Sequence, residues 1–368
     1  MDPVYLFPAP VLRETAREVL RAAGSPADEA ELVAARLVQA NLAGHDSHGI
    51  IRLHQYMDMQ RAGGIKPGRK VEFVRDNGST AVLSGQRGFG QTIATEAMKI
   101  AIQRAREYNL AALGVTDLNH VGRLSDYVVL AAQQNLIAMM WTSTGGYSRL
   151  VAPFGAFERR MSTNPFAAAF PSDRADPVVF DFATSAYAEG KFKVMRDAGA
   201  GMPPNVLLDK EGAPSTDPLD LYAGGAIRPL GGDQGYKGYL LNFLVEVLGG
   251  ILTGGGHLGK TEAPPFSNSS LMILLNVAAY RALPDFKREL ESLIAYLKGA
   301  QSAPGERVLA PGEKEALIER ERSAKGIALP AATVAGIQAE LDHFKIGRKL
   351  LALGTETPAP LASLAAHS

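Results

Sequence analysis

Cysteine is absent from the 368-residue sequence. A chain without cysteine forms no disulfide, binds no metal through thiolates and has no cysteine nucleophile, which is compatible with a reducing compartment. The sequence also lacks net charge, since lysine plus arginine and aspartate plus glutamate each number 38. It therefore lacks the positive field that is typical of proteins that bind nucleic acid or anionic membranes.

Long apolar runs are absent as well. The most apolar stretch, YLLNFLVEVLGGIL, is too short to span a bilayer and is interrupted by Asn242 and Glu246. The first residues, MDPVYLFPAPVLRETAREVL, lack the basic and then apolar segments of a secretory signal. The sequence therefore predicts a cytoplasmic protein, and its length suggests two or three domains or one large domain with an insertion.

Hydrophobic periodicity predicts an α/β fold in which helices cover a sheet. Ser25 and Pro26 are typical of an N-cap and a first helical residue, and Gly44 of a helix stop. The helices are predicted at residues 10–24, 26–43, 47–61, 91–108, 122–134, 237–252, 284–299 and 313–345. The strands are predicted as a hairpin within 70–84 and as buried strands at 111–115, 136–142 and 178–182.

The segment GGGHLGKT, residues 254–261, matches two phosphate-binding motifs at once. It fits the phosphate loop of nucleotide hydrolases and the dinucleotide fingerprint of Rossmann enzymes. Both motifs join a strand to a helix, so that helix N-terminal amides face the phosphates. Here a predicted helix precedes the segment, and Pro264 and Pro265 prevent a helix from starting after it. The sequence therefore favours a glycine-rich surface loop.

The richest polar cluster is GHDSHGIIRLHQY. On a helix that begins near Ser47, the side chains of His48, Arg52 and Tyr56 share one face. An arginine fork pairs with a carboxylate through two charge-assisted hydrogen bonds, and a histidine exchanges protons near neutral pH. This combination predicts a site for a carboxylate substrate.

Other interpretations of the cluster stay open. Asp46 and Ser47 are also common helix caps, and Arg52 could form a surface ion pair. His45 and His48 could bind zinc, although no third ligand is evident nearby. The predicted site therefore contains no metal.

A second candidate is the loop LNHVGR, which follows the predicted strand AALGVTDL. Loops at the carboxyl ends of strands are where open α/β sheets bind ligands. His120 could act there as an acid or base, and Gly122 lets a ligand approach the backbone. The alternative is an ordinary loop histidine. Asp181 at the end of a strand and Lys237 at the start of an apolar helix are weaker candidates.

Six of these stretches together resemble the malate/L-lactate dehydrogenase family of the second type, which includes ureidoglycolate, sulfolactate and piperideine-2-carboxylate enzymes. The motifs are HDSHG-I-x-R, NH-x-G after a strand, TNP, D-x-ATS, GYKGY and PGE, in that order. The sequence is most similar to the hydroxycarboxylate dehydrogenase B branch. The resemblance implies a malate/L-sulfolactate dehydrogenase-like, non-Rossmann mixed sheet with helices, and NAD(P)-dependent reduction of 2-oxo or cyclic imino acids.

The resemblance also implies roles for individual residues. His120 matches the proton donor/acceptor, and Arg52 matches the arginine that binds the substrate carboxylate. Ser47 and His48 match a pair that some members are described as using in a relay with the aspartate that matches Asp181. Whether His120 or His48 is the proton donor stays open.

Contacts to the cofactor are implied for several loops. The matching residues here are His120, Val121, Gly122, Arg123, Leu124, Thr144, Thr163, Asn164, Pro165, Lys237, Gly312 and Glu313. Many relatives have a small residue where this chain has Arg123, a departure that bears on substrate size or cofactor choice. The expected cofactor is NAD, with NADP as the alternative.

These features predict reversible hydride transfer between NAD(P)H and a 2-oxo acid by a homodimer that binds neither nucleic acid nor membrane. A helical unit is expected from residues 1–68 and 300–368, and a cofactor-binding mixed-sheet domain from 69–299, with an irregular excursion at about 195–234. The alternatives are a cyclic imino acid reductase, a nucleotide hydrolase that uses residues 254–261, and a helical protein without enzymatic activity.

Overall fold

The structure is a computed structural model that describes residues 3–144, 148–197, 199–259 and 267–357. The helices are α1 (Ala9–Ala22), α2 (Ala27–Leu42), α3 (Arg52–Arg61), α4 (Gly90–Tyr108), α5 (Ser125–Ala132), α6 (Glu189–Asp197), α7 (Pro218–Tyr222), α8 (Tyr236–Val245), α9 (Leu283–Lys298), α10 (Glu313–Lys325) and α11 (Ala331–His343). The strands are β1 (Val4–Phe7), β2 (Glu72–Asn77), β3 (Thr80–Ser84), β4 (Leu110–Leu118), β5 (Leu136–Ser143), β6 (Pro165–Phe170), β7 (Val178–Ala183), β8 (Leu207–Leu208), β9 (Pro214–Ser215), β10 (Ala226–Ile227), β11 (Asn268–Asn276), β12 (Ile327–Pro330) and β13 (Thr355–Thr357).

The centre of the fold is a seven-stranded sheet in the order β2-β3-β4-β11-β5-β6-β7. Strands β3 and β4 are parallel and the other neighbours are antiparallel, so the predicted mixed sheet is confirmed. One face packs against the apolar sides of α4 and α5, and this forms the largest core cluster. The opposite face packs against α8 and its π-helical continuation, Glu246–Ile251.

A second core brings the two chain ends together. Helices α1, α2, α3 and α11 enclose it, with a three-stranded sheet in the order β12-β1-β13. The sequence predicted only helices from the chain ends, and it missed this sheet because its strands have three or four residues each. The domain boundaries at 68 and 300 stay a prediction.

Several predicted elements differ from the structure in extent. Helix α5 begins at Ser125, three residues later than predicted, because the loop before it contains Gly122 with a positive φ of 73°. The region 313–345 is two helices separated by β12, and Gly326 with a φ of 101° ends the first of them. Helix α2 begins after Pro26, which occupies the N-cap position predicted for Ser25.

The glycine-rich segment follows helical structure, as predicted. Helix α8 and the π-helix end at Ile251, and Gly254 and Gly256 then adopt positive φ angles of 88° and 85°. Lys260 and Thr261 lie outside the described residues. Across the ranges that the structure describes, no helix combines the length and the apolar character that crossing a membrane requires.

Candidate active site

The HDSH turn precedes α3 and is not part of it. Asp46–His48 forms a single 3-10 turn, and Gly49 is extended, with φ −83° and ψ −156°. The side chain of Asn41 accepts a hydrogen bond from the Ile50 amide at 2.7 Å and donates to Asp46 at 2.6 Å. A Cβ on Gly49 would overlap that Asn41 side chain. The prediction of one helix from residue 47 is therefore wrong, and His48 does not share a helical face with Arg52.

Other elements hold this turn from two sides. Arg322 of α10 donates to both carboxylate oxygens of Asp46, at 2.7 and 2.9 Å, and also to the Asn41 carbonyl. On the opposite side, Gly190 of α6 packs so closely on Ser47 that a Cβ would overlap its side chain. The position of His48 therefore depends on both α6 and α10.

The loop after β4, which carries His120, is held by several contacts, as the HDSH turn is. Asn119 donates to the Gly64 carbonyl at 2.8 Å, and the Val121 amide donates to Asn268 of β11 at 3.1 Å. Gly90, the first residue of α4, packs against the carbonyls of this loop, and a Cβ there would overlap the His120 carbonyl. His120 is thus positioned by the sheet and by α4 together.

The two candidate histidines meet where the second core, which the chain ends form, adjoins the central sheet. His48 Nδ1 and His120 Nε2 are 3.1 Å apart, and the rings stack with centroids at 5.1 Å. Tyr56 of α3 bonds to His120 Nδ1 at 2.7 Å, and Gln91 of α4 donates to the Tyr56 oxygen at 2.7 Å. The structure therefore joins residues from four separate elements into one hydrogen-bonded line.

Burial determines the protonation states of the side chains in this hydrogen-bonded line. It lowers the pKa of His48 to about 3, with smaller contributions from Arg52 and Arg123. It lowers the pKa of His120 well below its usual value and raises that of Tyr56 to about 12. Both imidazoles are therefore neutral at neutral pH.

Arg52 lies beside the two histidines. Its Nε donates to the Ser47 carbonyl at 2.6 Å and its Nη1 to Gln55 at 2.6 Å. A guanidinium has five N–H groups, so three remain after these two bonds. The side chain is held in place and still has donors for a carboxylate.

Asp181 does not contact the histidines in the described structure. Its Oδ2 accepts a hydrogen bond from the Ser125 amide at 2.8 Å, which caps the first turn of α5. Burial raises its pKa to about 6, opposed by that hydrogen bond and by Arg123. The relay with Ser47 and His48 is therefore not formed here, because the end of β7 lies beside the start of α5.

Arg123 lies close enough to Asp181 to affect its pKa. Its Nε and Nη2 donate to Asp126 of α5, at 3.1 and 2.5 Å, and its side chain is only 10% exposed. It also lowers the pKa of His48, as stated above. The guanidinium therefore lies between the start of α5 and the HDSH turn.

The other predicted cofactor residues near the histidines line the ends of β5 and β6. Thr144 follows β5, and Asn164, with a positive φ of 35°, precedes β6. The Nδ2 of Asn164 donates to Asn242 and Glu246, at 2.9 and 2.8 Å. Of the buried oxygens that have no protein partner among the described residues, three lie beside these strand ends: Thr144 Oγ1, Ser162 Oγ and Asn164 Oδ1. These oxygens fit a ligand that donates hydrogen bonds, as a carboxamide does.

Thr163 and Lys237 connect to the same end of the sheet. The Thr163 carbonyl accepts from the Thr184 amide at 2.9 Å, just beyond β7, and the Leu230 amide donates to the Thr184 carbonyl at 3.0 Å. Leu230 in turn accepts from the amide of Gly238, the neighbour of Lys237, at 3.2 Å. Lys237 is exposed in the first turn of α8.

Gly312 and Glu313 lie elsewhere. Gly312 packs against Pro177 and Val179 at the opposite end of β7, five residues from the strand end beside Pro165. At the rise of a strand this separation is about 17 Å. The structure therefore does not bring these two residues together with Thr163 and Asn164, and their contact with a cofactor stays a prediction.

Three side chains of the types that bind metals lie close together outside the site of His48 and His120. His54, Asp58 and Glu340 approach one another among the described residues. Arg61, however, donates to Asp58 at 2.6 Å and to both oxygens of Glu340 at 2.7 and 2.8 Å. These contacts tie α3 to α11, and the guanidinium occupies the position that a cation would need.

The lowered pKa values of three half-buried histidines predict acid sensitivity. Burial lowers the pKa of His45, His48 and His120 below the usual 6.5 in the folded chain. The unfolded chain then binds more protons, so the free energy of unfolding should fall as pH decreases from 6.5 toward about 3. Asp181 acts in the opposite sense: its raised pKa stabilises the fold at low pH, and this contribution is lost as pH rises through about 6.

The pKa values of Glu29 and Asp117 are also raised by burial, but Asp181 is the carboxyl group whose pKa reaches about 6. Between pH 5 and pH 7 the three histidines outweigh it, so we expect a lower free energy of unfolding at pH 5 than at pH 7. Urea titrations at the two pH values measure this difference, and His120→Gln should reduce it. Equal or greater stability at pH 5 would contradict the assignment of neutral buried imidazoles.

Comparison with known proteins adds independent information. A family described as Malate/L-lactate dehydrogenase matches residues 7–338. Hydroxycarboxylate dehydrogenase B of Escherichia coli K12 is 34% identical over 338 residues, which cover 90% of this chain and 92% of that protein. Malate dehydrogenase of Pyrococcus abyssi is 34% identical over 317 residues, 84% of this chain and 86% of the relative.

Solved structures are similar over nearly the whole chain. A putative malate/lactate dehydrogenase from E. coli superposes with a TM-score of 0.88 at 31% identity, covering 94% of this chain and 97% of the other. A delta1-piperideine-2-carboxylate reductase from Pseudomonas syringae has a TM-score of 0.77 at 27% identity, covering 91% and 99%.

Proposed function

Because the chain belongs to the malate/L-lactate dehydrogenase family and is thus a hydroxy acid dehydrogenase, we propose that it interconverts a 2-oxo acid and a 2-hydroxy acid with a nicotinamide cofactor, at the site formed by His48, His120 and Arg52. The observation that carries this proposal is the bonded pair of imidazoles beside an arginine with unused donors. A carboxylate and an adjacent C2 oxygen need these two kinds of partner at short range.

Each residue has a distinct task. Arg52 binds the substrate carboxylate and thereby orients C2, since its remaining N–H groups can form a fork. The imidazoles hold the C2 oxygen and exchange its proton. A bound nicotinamide supplies or accepts the hydride. Gly90 packs tightly on the loop of His120 and Gly190 on Ser47, and these contacts fix the positions of the two segments that carry the histidines.

The chain's own residues fit a nicotinamide dinucleotide. The unpartnered oxygens of Thr144, Ser162 and Asn164 suit a carboxamide. Burial is the main cause of the lowered pKa of His45, and Arg123, Lys191 and Lys314 lower it further. Three cations therefore lie near one imidazole. Such a region suits the phosphates of the cofactor. We propose NAD as the cofactor, with NADP as the alternative.

The substrate proposed first is malate, lactate or a larger hydroxycarboxylate. A cyclic imino acid is the second candidate, favoured by the similarity to the piperideine-2-carboxylate reductase. A panel of 2-oxo acids and one cyclic imine, each with NADH and NADPH, separates these candidates by the loss of reduced-nicotinamide absorbance. Turnover of 2-oxo acids supports the first, turnover of the imine alone supports the second, and no turnover contradicts both.

We also propose a homodimer. The outer face of α8 and the π-helix is apolar, and four of its side chains are each more than half exposed: Leu240, Phe243, Ile251 and Leu252. An apolar face of this kind marks an interaction surface. Light scattering should give twice the mass of one chain, and Phe243→Glu should lower it. A monomeric wild-type protein would contradict the proposal.

A further inference from the structure

The hydrogen-bonded line of the active site extends inward beyond the two histidines. From outside to inside it consists of His48, His120, Tyr56 and Gln91, with separations of 3.1, 2.7 and 2.7 Å. Tyr56 is 1% exposed and its ring packs edge-on against Phe89 at 6.0 Å. The inner end of the line is therefore shut off from solvent.

The donors of this line all point outward. Gln91 donates Nε2–H to the Tyr56 oxygen, so the phenol hydrogen goes to the other neighbour, His120 Nδ1. A neutral His120 that accepts at Nδ1 carries its hydrogen on Nε2, which then donates to His48 Nδ1. His48 in turn carries its hydrogen on Nε2, at the outer end. One tautomer of each ring satisfies every bond.

We propose that Tyr56, held by Gln91, is a positioning residue that fixes both tautomers and serves as the inner proton reservoir of the site. The inference rests on the proposed function. Such a reservoir supplies a proton source that the neutral histidines lack, because no imidazolium is present at neutral pH to protonate the C2 oxygen.

The proton step balances along the line. As hydride reaches C2, the C2 oxygen takes the proton of His48 Nε2, and the bond from that nitrogen to hydrogen breaks. His120 Nε2 passes its proton to His48 Nδ1, and Tyr56 passes its proton to His120 Nδ1. The net result is a neutral alcohol, two neutral imidazoles and a phenolate that accepts the Gln91 N–H bond. The reverse transfer, from solvent through His48, restores the phenol after product release.

The acidity of the groups agrees with this direction. Burial raises the pKa of Tyr56 to about 12, opposed by Gln91 and Arg52. A phenol remains a stronger acid than an aliphatic alcohol, so transfer toward the alkoxide is downhill. The titratable and charged groups that face Tyr56 are His120, Arg52 and Tyr127. None of them is an anion that would block formation of a phenolate.

Tyr56→Phe tests the proposal, because it removes the hydroxyl and keeps the ring. We expect kcat for reduction to fall about tenfold, the worth of one buried hydrogen bond, with KM for the 2-oxo acid unchanged. The dependence of kcat on pH should also change. Without the phenol, the variant needs an imidazolium as its proton donor, so its kcat should fall as pH rises. The kcat of the wild type should stay constant over the same pH range.

A second variant keeps the test decisive if Tyr56→Phe folds poorly. Gln91→Glu turns the phenol hydrogen toward the new carboxylate and away from His120, so it should reproduce the kcat loss. Tyr127→Phe is the matched control, since that buried hydroxyl donates to the Val121 carbonyl. It should leave the shape of the pH profile unchanged.

Wild-type kcat and pH profile in both Tyr56→Phe and Gln91→Glu would overturn the relay. A loss of stability without a change in pH profile would also overturn it, since packing alone produces that result. If the wild-type protein reduces no 2-oxo acid, the proposed function fails instead, and the nitrogen chemical shifts of His120 then report whether Tyr56 fixes its tautomer. A hydrogen on Nδ1 in the folded wild type would contradict the positioning role.

Discussion

Replacing His120 with alanine is expected to lower kcat by about 10²–10⁴-fold, which is the usual contribution of a positioned acid or base. The imidazole lies within hydrogen-bond distance of both His48 and Tyr56, so its removal interrupts the proton path at its centre. Alanine also leaves the Tyr56 hydroxyl without its partner. Steady-state rates with saturating 2-oxo acid and cofactor measure the effect, and KM should change much less than kcat.

Comparison of variants decides which imidazole faces the substrate. His48→Ala should cause a loss of similar size if the two rings act in series. His343→Ala is the control, because His343 is exposed on α11 and contacts Phe344. If His120→Ala retains near wild-type kcat while His48→Ala does not, His120 is a cofactor contact and the proton comes from His48 by another route.

Replacing Arg52 with alanine is expected to raise the KM for the 2-oxo acid about 100-fold. The change removes a charge-assisted contact to the carboxylate, a loss of a few kcal/mol. It also removes a cation that lowers the pKa of both His48 and His120, so these pKa values should rise. Cofactor affinity, measured by nicotinamide fluorescence, should change little.

Two further variants separate charge from geometry. Arg52→Lys keeps the cation and loses the fork, and should restore the histidine pKa values more fully than substrate binding. Gln55→Ala removes only the side chain that holds Nη1, and should have a much smaller effect on KM. Collapse of cofactor binding in Arg52→Ala with an unchanged KM would place Arg52 in the cofactor site.

The sequence predicted the elements whose signal is local. Helix α4 and the hairpin of β2 and β3 have clear periodicity and a turn at Gly78, and the structure confirms both. It missed β6 and β11, although β11 lies in the middle of the central sheet. Half of β6 is alanine, a poor strand former, and β11 pairs with β4 and β5, more than 100 residues away. The apolar run of β11, LMILL, is a local signal that the prediction overlooked.

The site was predicted in part for the same reason. Motif spacing identified His48, His120 and Arg52 as candidates, and the structure places them together. Their contact could not be deduced, because it depends on the packing of α3 and α4 against the sheet. The sequence places Tyr56 only on a helical face and Gln91 only at the start of a helix. Gln91 lies on the buried face of α4, most of which is apolar, and a polar side chain on such a face is a clue to function.

The arrangement of the chain ends has a consequence for biosynthesis. Strand β1 pairs with β12 on one side and β13 on the other, and Arg322 fixes Asp46 in the turn that carries His48. On the ribosome, residues 4–7 and the first helices emerge long before these partners are translated. Contacts so distant in sequence form slowly, and unfinished chains expose apolar surface. The active site is therefore completed only after α10, β12 and β13 have been translated, and until then the nascent chain exposes apolar surface that the folded protein buries.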